Sequence, residues 1–350
     1  MVQSLLCVFV FFVSCAFSAE ESLNHAPTRG EEQRSIEFNR KLELGDLPAK
    51  NSDQRPFSET ETAGYLLFHA DTYFNTRAIK DTLAARLPAG VKLAVFTDNP
   101  KEVNSLRRRY SKLVGKDRLE ILSLKYKAST RAIWARDNTP IPVLNLSSEA
   151  EKAWGVVDAK YYGGDEPDSG IAQWFKIPLT KNPYEFEGGN FVADAKGNCV
   201  IINKLATAFI PDTIFTSLYG CQKVVRLPHL SGIGHADERV KFIDENVVLT
   251  DTESYVPELQ SLGYEVRLLP KPQGGEYRTY VNSLSINDTI FVPVYAEQKD
   301  GEALEVYRGT GKKIIPLDSR TLSDRGYGSI HCITMTYPPL KSGRLEDLFR

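Results

Sequence analysis

The sequence lacks an excess of charge of either sign. Its 350 residues include 43 lysines and arginines against 45 aspartates and glutamates, which leaves a formal net charge of -2. This balance gives no indication of the polybasic surface that binding to nucleic acid or to an anionic membrane would require. With 42% hydrophobic and 25% charged residues, the composition is that of an ordinary soluble globular protein.

Long hydrophobic runs are scarce as well, and the most prominent one begins the chain. Residues 1–19, "MVQSLLCVFVFFVSCAFSA", contain no charged side chain, and their apolar run is short for a membrane span and is followed by small residues. This pattern predicts a cleaved signal peptide over residues 1–19, although no Lys or Arg precedes the run. We therefore expect a secreted, periplasmic or cell-envelope protein without a membrane span. A weaker interpretation takes "FVSC" as a lipobox in which Cys15 is acylated.

Cysteines are few, and their number is informative. Removal of the signal peptide would take Cys7 and Cys15 away and leave Cys199, Cys221 and Cys332. An odd number of cysteines in an exported protein leaves at least one thiol free. Cys199 and Cys221 form a disulfide or remain two buried thiols, and Cys332 is unpaired in either case.

The rest of the chain divides into a polar segment and one long domain. Residues 20–60 are rich in charge and are interrupted by Pro27, Pro48 and Pro56, which predicts a disordered leader. Over residues 61–343, short apolar strands alternate with helical stretches such as "TRAIKDTLAARL", "EVNSLRRRYSKLV" and "ESYVPELQSL". This alternation predicts a single α/β domain, followed by a tail over residues 344–350.

A repeated layout runs through this domain. The segments "EFEGGNFVADAKGNCVIINK", "GHADERVKFIDENVVLTD" and "YVNSLSINDTIFVPVY" each contain a polar residue, an apolar strand, a tight turn and a second strand. "IWARDNTPIPVL" and "SIHCITMTYP" carry a polar residue early in a similar run. One polar residue from each segment gives Asp137, Glu187, His235, Asn282 and Cys332, with gaps of 50, 48, 47 and 50 residues. This near-constant period predicts a closed ring of five α/β units, each of which offers one side chain to the centre.

Two of these positions suggest chemistry on their own. If "GHADERV" is a strand, His235 and Asp237 share one face, and the pair has three interpretations: a structural histidine, a metal site, or a catalytic histidine beside a cation-binding carboxylate. His331 precedes Cys332 directly, and neighbours in a strand point to opposite faces. We therefore expect His331 to face away from the thiol, and we expect His235 to be the working partner of Cys332.

Taken together, five motifs resemble those of a known family. "WARDNTP", "EFEGGN", "GHADERVKF", "YVNSLSINDTIFVP" and "GYGSIHCITMTYP" are similar in order and spacing to motifs of the guanidino-modifying enzymes of the pentein superfamily. These enzymes include agmatine deiminase and the Porphyromonas-type peptidylarginine deiminases, and the resemblance covers roughly residues 63–339. It implies a five-bladed α/β propeller. It also implies that Asp137 and Asp237 hold the substrate guanidinium, that His235 is the general acid and base, and that Cys332 is the nucleophile.

The resemblance also assigns the surroundings of these residues. Asn282 matches an active-site asparagine of the family, and Glu187, Gly188 and Gly189 would line the pocket. Trp134 would supply an apolar wall. The implied chemistry needs no metal and no organic cofactor. The neighbouring carboxylates are expected to raise the pKa of the free Cys332 thiol, whereas a bound guanidinium should lower it.

The substrate is less sharply defined. Export favours a peptidylarginine deiminase over agmatine deiminase, which is usually intracellular. In "DAKYYGGDEPDSGIAQ" the arginines that clamp a terminal carboxylate in the known bacterial enzyme are missing, and the loop is neutral to acidic at the following residues: Gly163, Gly164, Asp165, Glu166 and Asp168. We therefore expect an arginine-containing peptide or protein as substrate, with agmatine or free arginine as the alternative. A propeller that binds without catalysis is a third hypothesis, and the oligomeric state stays open.

Overall fold

The architecture is built from short helices and short strands that alternate along the chain. The computed structural model describes residues 23–42, 49–50, 53–126, 131–146, 154–158, 160–161, 167–204 and 206–340. Within them the helices are α1 (Arg29–Lys41), α2 (Thr76–Ala85), α3 (Val103–Val114), α4 (Ala135–Asn138), α5 (Asp168–Phe175), α6 (Asp212–Leu218), α7 (Val256–Ser261), α8 (Lys299–Arg308) and α9 (Arg320–Gly326).

The strands of the same residues are β1 (Gln54–Pro56), β2 (Tyr65–His69), β3 (Lys92–Thr97), β4 (Leu119–Ser123), β5 (Ile141–Asn145), β6 (Trp154–Val157), β7 (Leu179–Thr180), β8 (Val192–Ala193), β9 (Asn198–Asn203), β10 (Lys223–Pro228), β11 (Val240–Phe242), β12 (Val247–Thr250), β13 (Glu265–Leu268), β14 (Leu284–Ile286), β15 (Thr289–Val294), β16 (Lys313–Asp318) and β17 (Met335–Tyr337).

In the part of the chain that is described, these strands form five sheets. Their orders are β1-β5-β6-β7, β8-β9-β10, β11-β12-β13, β14-β15-β16 and β17-β2-β3-β4. In each sheet a short strand pairs antiparallel with the next strand, which runs parallel to a third after a crossover helix. β17 completes the sheet of β2 and so closes the ring, with Met335 opposite Leu67. The predicted five α/β units are thereby confirmed, and they form the expected five-bladed α/β propeller.

The crossover helices cover the sheets with one apolar face. α3 buries Leu106, Tyr110 and Val114, which lie at the spacing of one helix face, and its remaining side chains include several arginines and lysines. β2 is buried along its whole length because it lies between β17 and β3 inside a sheet. The helical stretches that the sequence predicted correspond to α2, α3 and α7.

The expected disordered leader is partly ordered, so this prediction was wrong for the described part of residues 20–60. α1 begins with a capping box, in which the side chains of Thr28 and Glu31 accept each other's backbone N–H groups. Near its end, the Asn39 amide exchanges two hydrogen bonds of 2.9 Å with the backbone of Glu185. β1 also joins a sheet, through antiparallel pairing with β5. Polar contacts instead of an apolar stripe hold this segment, which is why its composition resembles that of a solvated chain.

Two local predictions were also wrong. His235 and Asp237 do not share a strand, because residues 236–238 form a short 3-10 helix. Cys332 lies in a turn over residues 330–333, before β17 begins. At residues 235–239 the backbone groups pair within the turn, whereas the N–H groups of His331 and Cys332 pair with Asn282. In neither place is a sheet partner needed, so the side chains can point toward the centre.

The cysteine alternatives are resolved for the described residues. Cys199 and Cys221 form a disulfide bond, and Cys332 is the free cysteine in this part of the chain. The predicted signal peptide, the lipobox cysteine Cys15 and the tail over residues 344–350 lie outside the described residues. Among the helices that are described, none combines the length and the apolar character needed to cross a membrane.

Candidate active site

Five segments converge on one buried centre, and each lies just before the strand that pairs antiparallel with the middle strand of a blade, namely β5, β8, β11, β14 or β17. Asp137 lies in α4 before β5, and Glu187 lies directly before the 3-10 turn Gly188–Asn190 and β8. The other segments precede β11, β14 and β17 and contribute His235 with Asp237, Asn282 and Cys332. All these side chains are buried. The period of the sequence is therefore the repeat of the fold, and it brings the predicted residues together.

Cys332 lies between an amide and a carboxylate. Its Sγ is 3.4 Å from Asn282 Oδ1 and 3.8 Å from Asp237 Oδ2. Asn282 Oδ1 also accepts the backbone N–H groups of His331, at 3.1 Å, and of Cys332, at 3.4 Å, so it holds the turn in place. Burial, followed by the negative charges of Asp237, Glu238 and Asp137, raises the pKa of the Cys332 thiol well above its usual value. The direction agrees with the expectation from the sequence, but burial is the larger cause.

His235 is held by two carboxylates. Its Nε2 is 3.1 Å from Glu187 Oε2, and its Nδ1 is 3.6 Å from Asp137 Oδ1. Burial disfavours the charged imidazole, but Glu187 and Asp137 outweigh burial and the opposing charge of Lys204, and they raise the pKa of His235 to about 9. Glu187 also pairs with Lys204, so burial is overcome and the pKa of its carboxyl lies well below the usual value. Glu187 therefore orients the histidine instead of simply lining the pocket.

Asp237 is oriented by His331. Its Oδ2 is 2.6 Å from His331 Nδ1, and Nε2 of the same ring is 2.6 Å from Glu59 Oε1. Glu59 also accepts from Arg136 at 2.7 Å and from Lys241 at 2.5 Å. The prediction that His331 faces away from the thiol was wrong, because its ring contacts the same Asp237 oxygen that lies near Cys332 Sγ. Asp237 Oδ1 is buried without a hydrogen-bond partner among the described residues, and so it can accept from a ligand.

Gly188 and Gly189 are required by the closeness of their neighbours. A Cβ atom on Gly189 would lie 2.7 Å from both Asp137 Oδ1 and His235 Nδ1, and one on Gly188 would lie 2.2 Å from the Arg136 carbonyl oxygen. The Gly189 N–H donates to Asp137 Oδ1 at 2.9 Å. At these two glycines the backbone therefore approaches side chains and backbone of the site itself more closely than a larger residue would allow.

The pocket also contains a residue from the amino-terminal segment. His25 Nε2 hydrogen-bonds with Asp137 Oδ2, and the His25 ring stacks on Trp134 with 4.3 Å between the ring centroids. The same ring meets His235 edge to face at 5.0 Å. Trp134 is the apolar wall that the sequence suggested, and His25 now covers it. His25 was assigned to the disordered leader, so sequence reasoning missed it.

One group of side chains has a spacing that a metal ion could bridge. Donor atoms of His25, Asp137 and His235 all lie within 4.8 Å of one another. Asp137 already accepts hydrogen bonds from Gly189 and His25, which account for the arrangement without an ion. The metal site considered from the sequence consisted of His235 and Asp237. Asp237 does not belong to the group of three described above.

Sequence reasoning missed four residues that support the site, namely His25, Glu59, Lys204 and Lys241. Only the segment that contains His25 had a signal in the sequence. The "TRGE" spacing of Thr28 and Glu31 is a capping box, which predicts the start of the helix that follows His25. Glu59, Lys204 and Lys241 lie in stretches where nothing distinguishes them from surface residues. Their burial depends on partners that lie between 17 and 272 residues away in the sequence.

Comparison with known proteins identifies the family. The sequence model of the Porphyromonas-type peptidyl-arginine deiminases matches residues 75–338. This chain belongs to that family. A search of curated proteins finds no match. The match explains why the five motifs occur in the order in which they do, since it spans all of them.

Solved structures agree with the fold of this family. A protein assigned as a peptidyl-arginine deiminase has a TM-score of 0.64 at 21% identity, and the alignment covers 82% of this chain and 99% of that one. Agmatine deiminase of Enterococcus faecalis has a TM-score of 0.68 at 19% identity, with 85% and 99% covered. The Campylobacter jejuni agmatine deiminase has a TM-score of 0.63 at 18% identity, with 81% and 95% covered.

Membership places the chain among the guanidino-modifying hydrolases. In this member of the family, Asp168 begins α5 and is buried, whereas Gly163, Gly164, Asp165 and Glu166 lie outside the described residues.

Proposed function

We propose that the protein hydrolyses the guanidino group of arginine in peptides or proteins, which converts peptidyl arginine to peptidyl citrulline and releases ammonia, with Cys332 as the nucleophile. The observation that carries this proposal is the convergence of Cys332, His235, Asp137 and Asp237 on one buried pocket. A thiol, an imidazole and two carboxylates are the groups that covalent hydrolysis of a planar cation requires. Membership of the deiminase family supports the same reaction type.

The carboxylates bind and orient the substrate. A guanidinium is a planar cation whose N–H groups suit carboxylate oxygens. Asp237 Oδ1 lacks a partner among the described residues, and Asp137 Oδ2 is bonded to a ring of the amino-terminal segment that substrate would displace. A cation between these carboxylates presents its central carbon toward Sγ of Cys332, which is 3.8 Å from Asp237 Oδ2.

The proton inventory follows from the pKa directions. The pKa of Cys332 is raised well above its usual value, so the thiol is protonated near neutral pH until the guanidinium cation arrives. The cation stabilises the thiolate, and the thiol proton leaves to solvent because His235 already carries one. The pKa of His235 is about 9, so the imidazole is charged near neutral pH and can act first as an acid. The thiolate attacks the central carbon, His235 donates its proton to the departing ammonia, and a thiouronium remains on Cys332. The same histidine then takes a proton from water, which attacks this intermediate, and the C–S bond breaks to give the ureido product and free thiol.

Agmatine is the second candidate substrate. Agmatine deiminases of Enterococcus faecalis and Campylobacter jejuni share the fold, and the same four groups would convert agmatine to N-carbamoylputrescine and ammonia. Export favours the peptidyl substrate. Two observations support export: the proposed signal peptide over residues 1–19, and the Cys199–Cys221 disulfide, a type of bond that forms in oxidising compartments outside the cytosol.

One assay separates these functions. Purified protein is incubated with agmatine, free arginine, a peptide with an internal arginine and a peptide with a carboxyl-terminal arginine, and both ammonia and ureido product are measured. We expect turnover of the internal-arginine peptide, abolished in Cys332→Ala and in His235→Ala. His229→Ala, an exposed histidine in the same region, is the matched control. The absence of turnover with all four compounds, or full activity of Cys332→Ala, would reject the deiminase function.

A further inference from the structure

The amino-terminal segment over residues 23–27 packs against the buried site, and its backbone is bound there. Three hydrogen bonds hold its peptide groups: His25 N–H donates to Gly326 O (2.6 Å), Trp134 Nε1–H donates to Leu23 O (2.9 Å), and Arg131 Nη2–H donates to Ala26 O (3.2 Å). The chain bends over residues 24–26. The propeller therefore binds peptide groups before, at and after a single residue whose side chain points into the pocket.

That side chain fills the place of a guanidinium. His25 donates to the Asp137 carboxylate, stacks on Trp134 and lies edge to face against His235. Imidazole and guanidinium groups are both planar, and both donate N–H groups to carboxylates and stack on aromatic rings. With His25 in this position the Cys332 side chain has no exposed surface, so substrate and segment exclude each other.

The segment is anchored by a helix whose attachments are polar. Arg131 Nη2 donates to the Glu31 carboxylate at 2.9 Å as well as to the backbone of Ala26, so one guanidinium links the bend to α1. The Asn39 amide fixes the other end of the helix to the backbone of Glu185. Apart from Leu23, these residues add little to the apolar core, so the segment can leave without disrupting the packing of the propeller.

We propose that residues 23–27 are a built-in pseudosubstrate, and that the groups holding their backbone form the subsite for an internal arginine in a bend of a polypeptide. This inference rests on the proposed deiminase function. A polypeptide can use all three backbone hydrogen bonds, whereas agmatine has no peptide groups and can use none of them. The three groups therefore give selectivity for peptidyl arginine, and the segment must leave the pocket before substrate enters.

The first test removes the ring that occupies the guanidinium site. His25→Ala in the full-length protein loses a hydrogen bond to a charged group and an aromatic stack, so we expect kcat/KM for an internal-arginine peptide to rise about tenfold to hundredfold. Asn24→Ala, at the neighbouring and partly exposed position, is the matched control and should leave kcat/KM unchanged. A fall in kcat/KM for His25→Ala would overturn the proposal, because it would make His25 a helper of catalysis.

The second test converts the pseudosubstrate into a substrate. In His25→Arg, the arginine lies where the reaction takes place, so Cys332 should displace ammonia from its guanidino carbon and water should then release citrulline at position 25. Intact-protein and peptide mass spectrometry would detect the conversion. The double variant His25→Arg/Cys332→Ala should remain unmodified, and dilution should not slow the conversion, because it takes place within one molecule.

The outcomes separate the two proposals. If His25→Arg turns over a free internal-arginine peptide but is not converted at position 25, the pseudosubstrate inference is wrong and the deiminase function stands. If neither variant acts on any guanidine, the function itself fails. A synthetic peptide of residues 23–42 provides a check that does not depend on folding of the variants. It should compete with substrate for the His25→Ala enzyme, and the same peptide with alanine at position 25 should compete at least tenfold less well. Equal competition by the two peptides would overturn the inference.

Discussion

The charge of Glu187 should determine the pH at which kcat/KM begins to decrease on the alkaline side of the pH profile. Glu187 Oε2 lies 3.1 Å from His235 Nε2, and this carboxylate is the largest of the causes that raise the pKa of His235 to about 9. Glu187→Gln keeps the shape of the side chain but removes its charge. An opposite charge at this distance changes a pKa by about one to three units. We therefore expect the pKa of His235 to fall by about one to two units, equivalent to about 1.4–2.7 kcal/mol.

The sign of the effect follows from the role of the histidine. In the proposed mechanism His235 must carry a proton to release ammonia, so activity should be lost as the pH rises through its pKa. In Glu187→Gln this loss should begin at lower pH, and the alkaline limb of kcat/KM against pH should move by about one to two units. Lys204→Met is the matched variant of opposite sign, because the Lys204 charge lowers the pKa of His235 and its removal should move the limb upward. An alkaline limb that stays in place in both variants would refute the reasoning.

Three further predictions concern the support of the site and of the fold. Glu59→Gln leaves two buried cations without their counter-ion and should lower the free energy of unfolding by about 3–5 kcal/mol in denaturant titrations, whereas the partly buried Glu61→Gln should cost about 1 kcal/mol or less. Gly189→Ala places a methyl group 2.7 Å from Asp137 Oδ1 and His235 Nδ1 and should abolish turnover, whereas Gly301→Ala, where a Cβ has no atom within 4 Å, should retain it. Cys199→Ala opens a loop of 22 residues and should lower stability by about 3 kcal/mol, with a lower Tm in a thermal melt; an unchanged Tm would contradict this estimate.

The repeat of the fold could be recognised in the sequence because each unit places a polar residue directly before a short apolar strand. Asp137, Glu187, His235, Asn282 and Cys332 recur every 47 to 50 residues, since each precedes the strand that pairs antiparallel with the middle strand of its blade. The apolar strands and their turns are local features, and local features leave a local pattern. The five units and the common pocket could therefore be predicted from the sequence alone.

The backbone conformation of the residues directly before β11 and β17 could not be predicted. A short polar run before an apolar strand is equally compatible with a longer strand or with a turn, and at His235 and Cys332 the turn is present. This difference also changed the meaning of His331. In a strand it would point away from the pocket, but from the turn it reaches Asp237 and links it to Glu59.

The sequence by itself determined the number of units, and it indicated the candidate site residues and the chemistry that their types allow, because periodicity and residue type are properties of short stretches. Only the tertiary structure decided which charges meet. Glu187 meets Lys204, Glu59 meets Lys241, and His25 enters the pocket from a segment whose composition resembles a solvated chain. Polar side chains have no periodic signature when their partners come from distant segments, so their burial is determined by the packing of the whole ring and not by their neighbours in sequence.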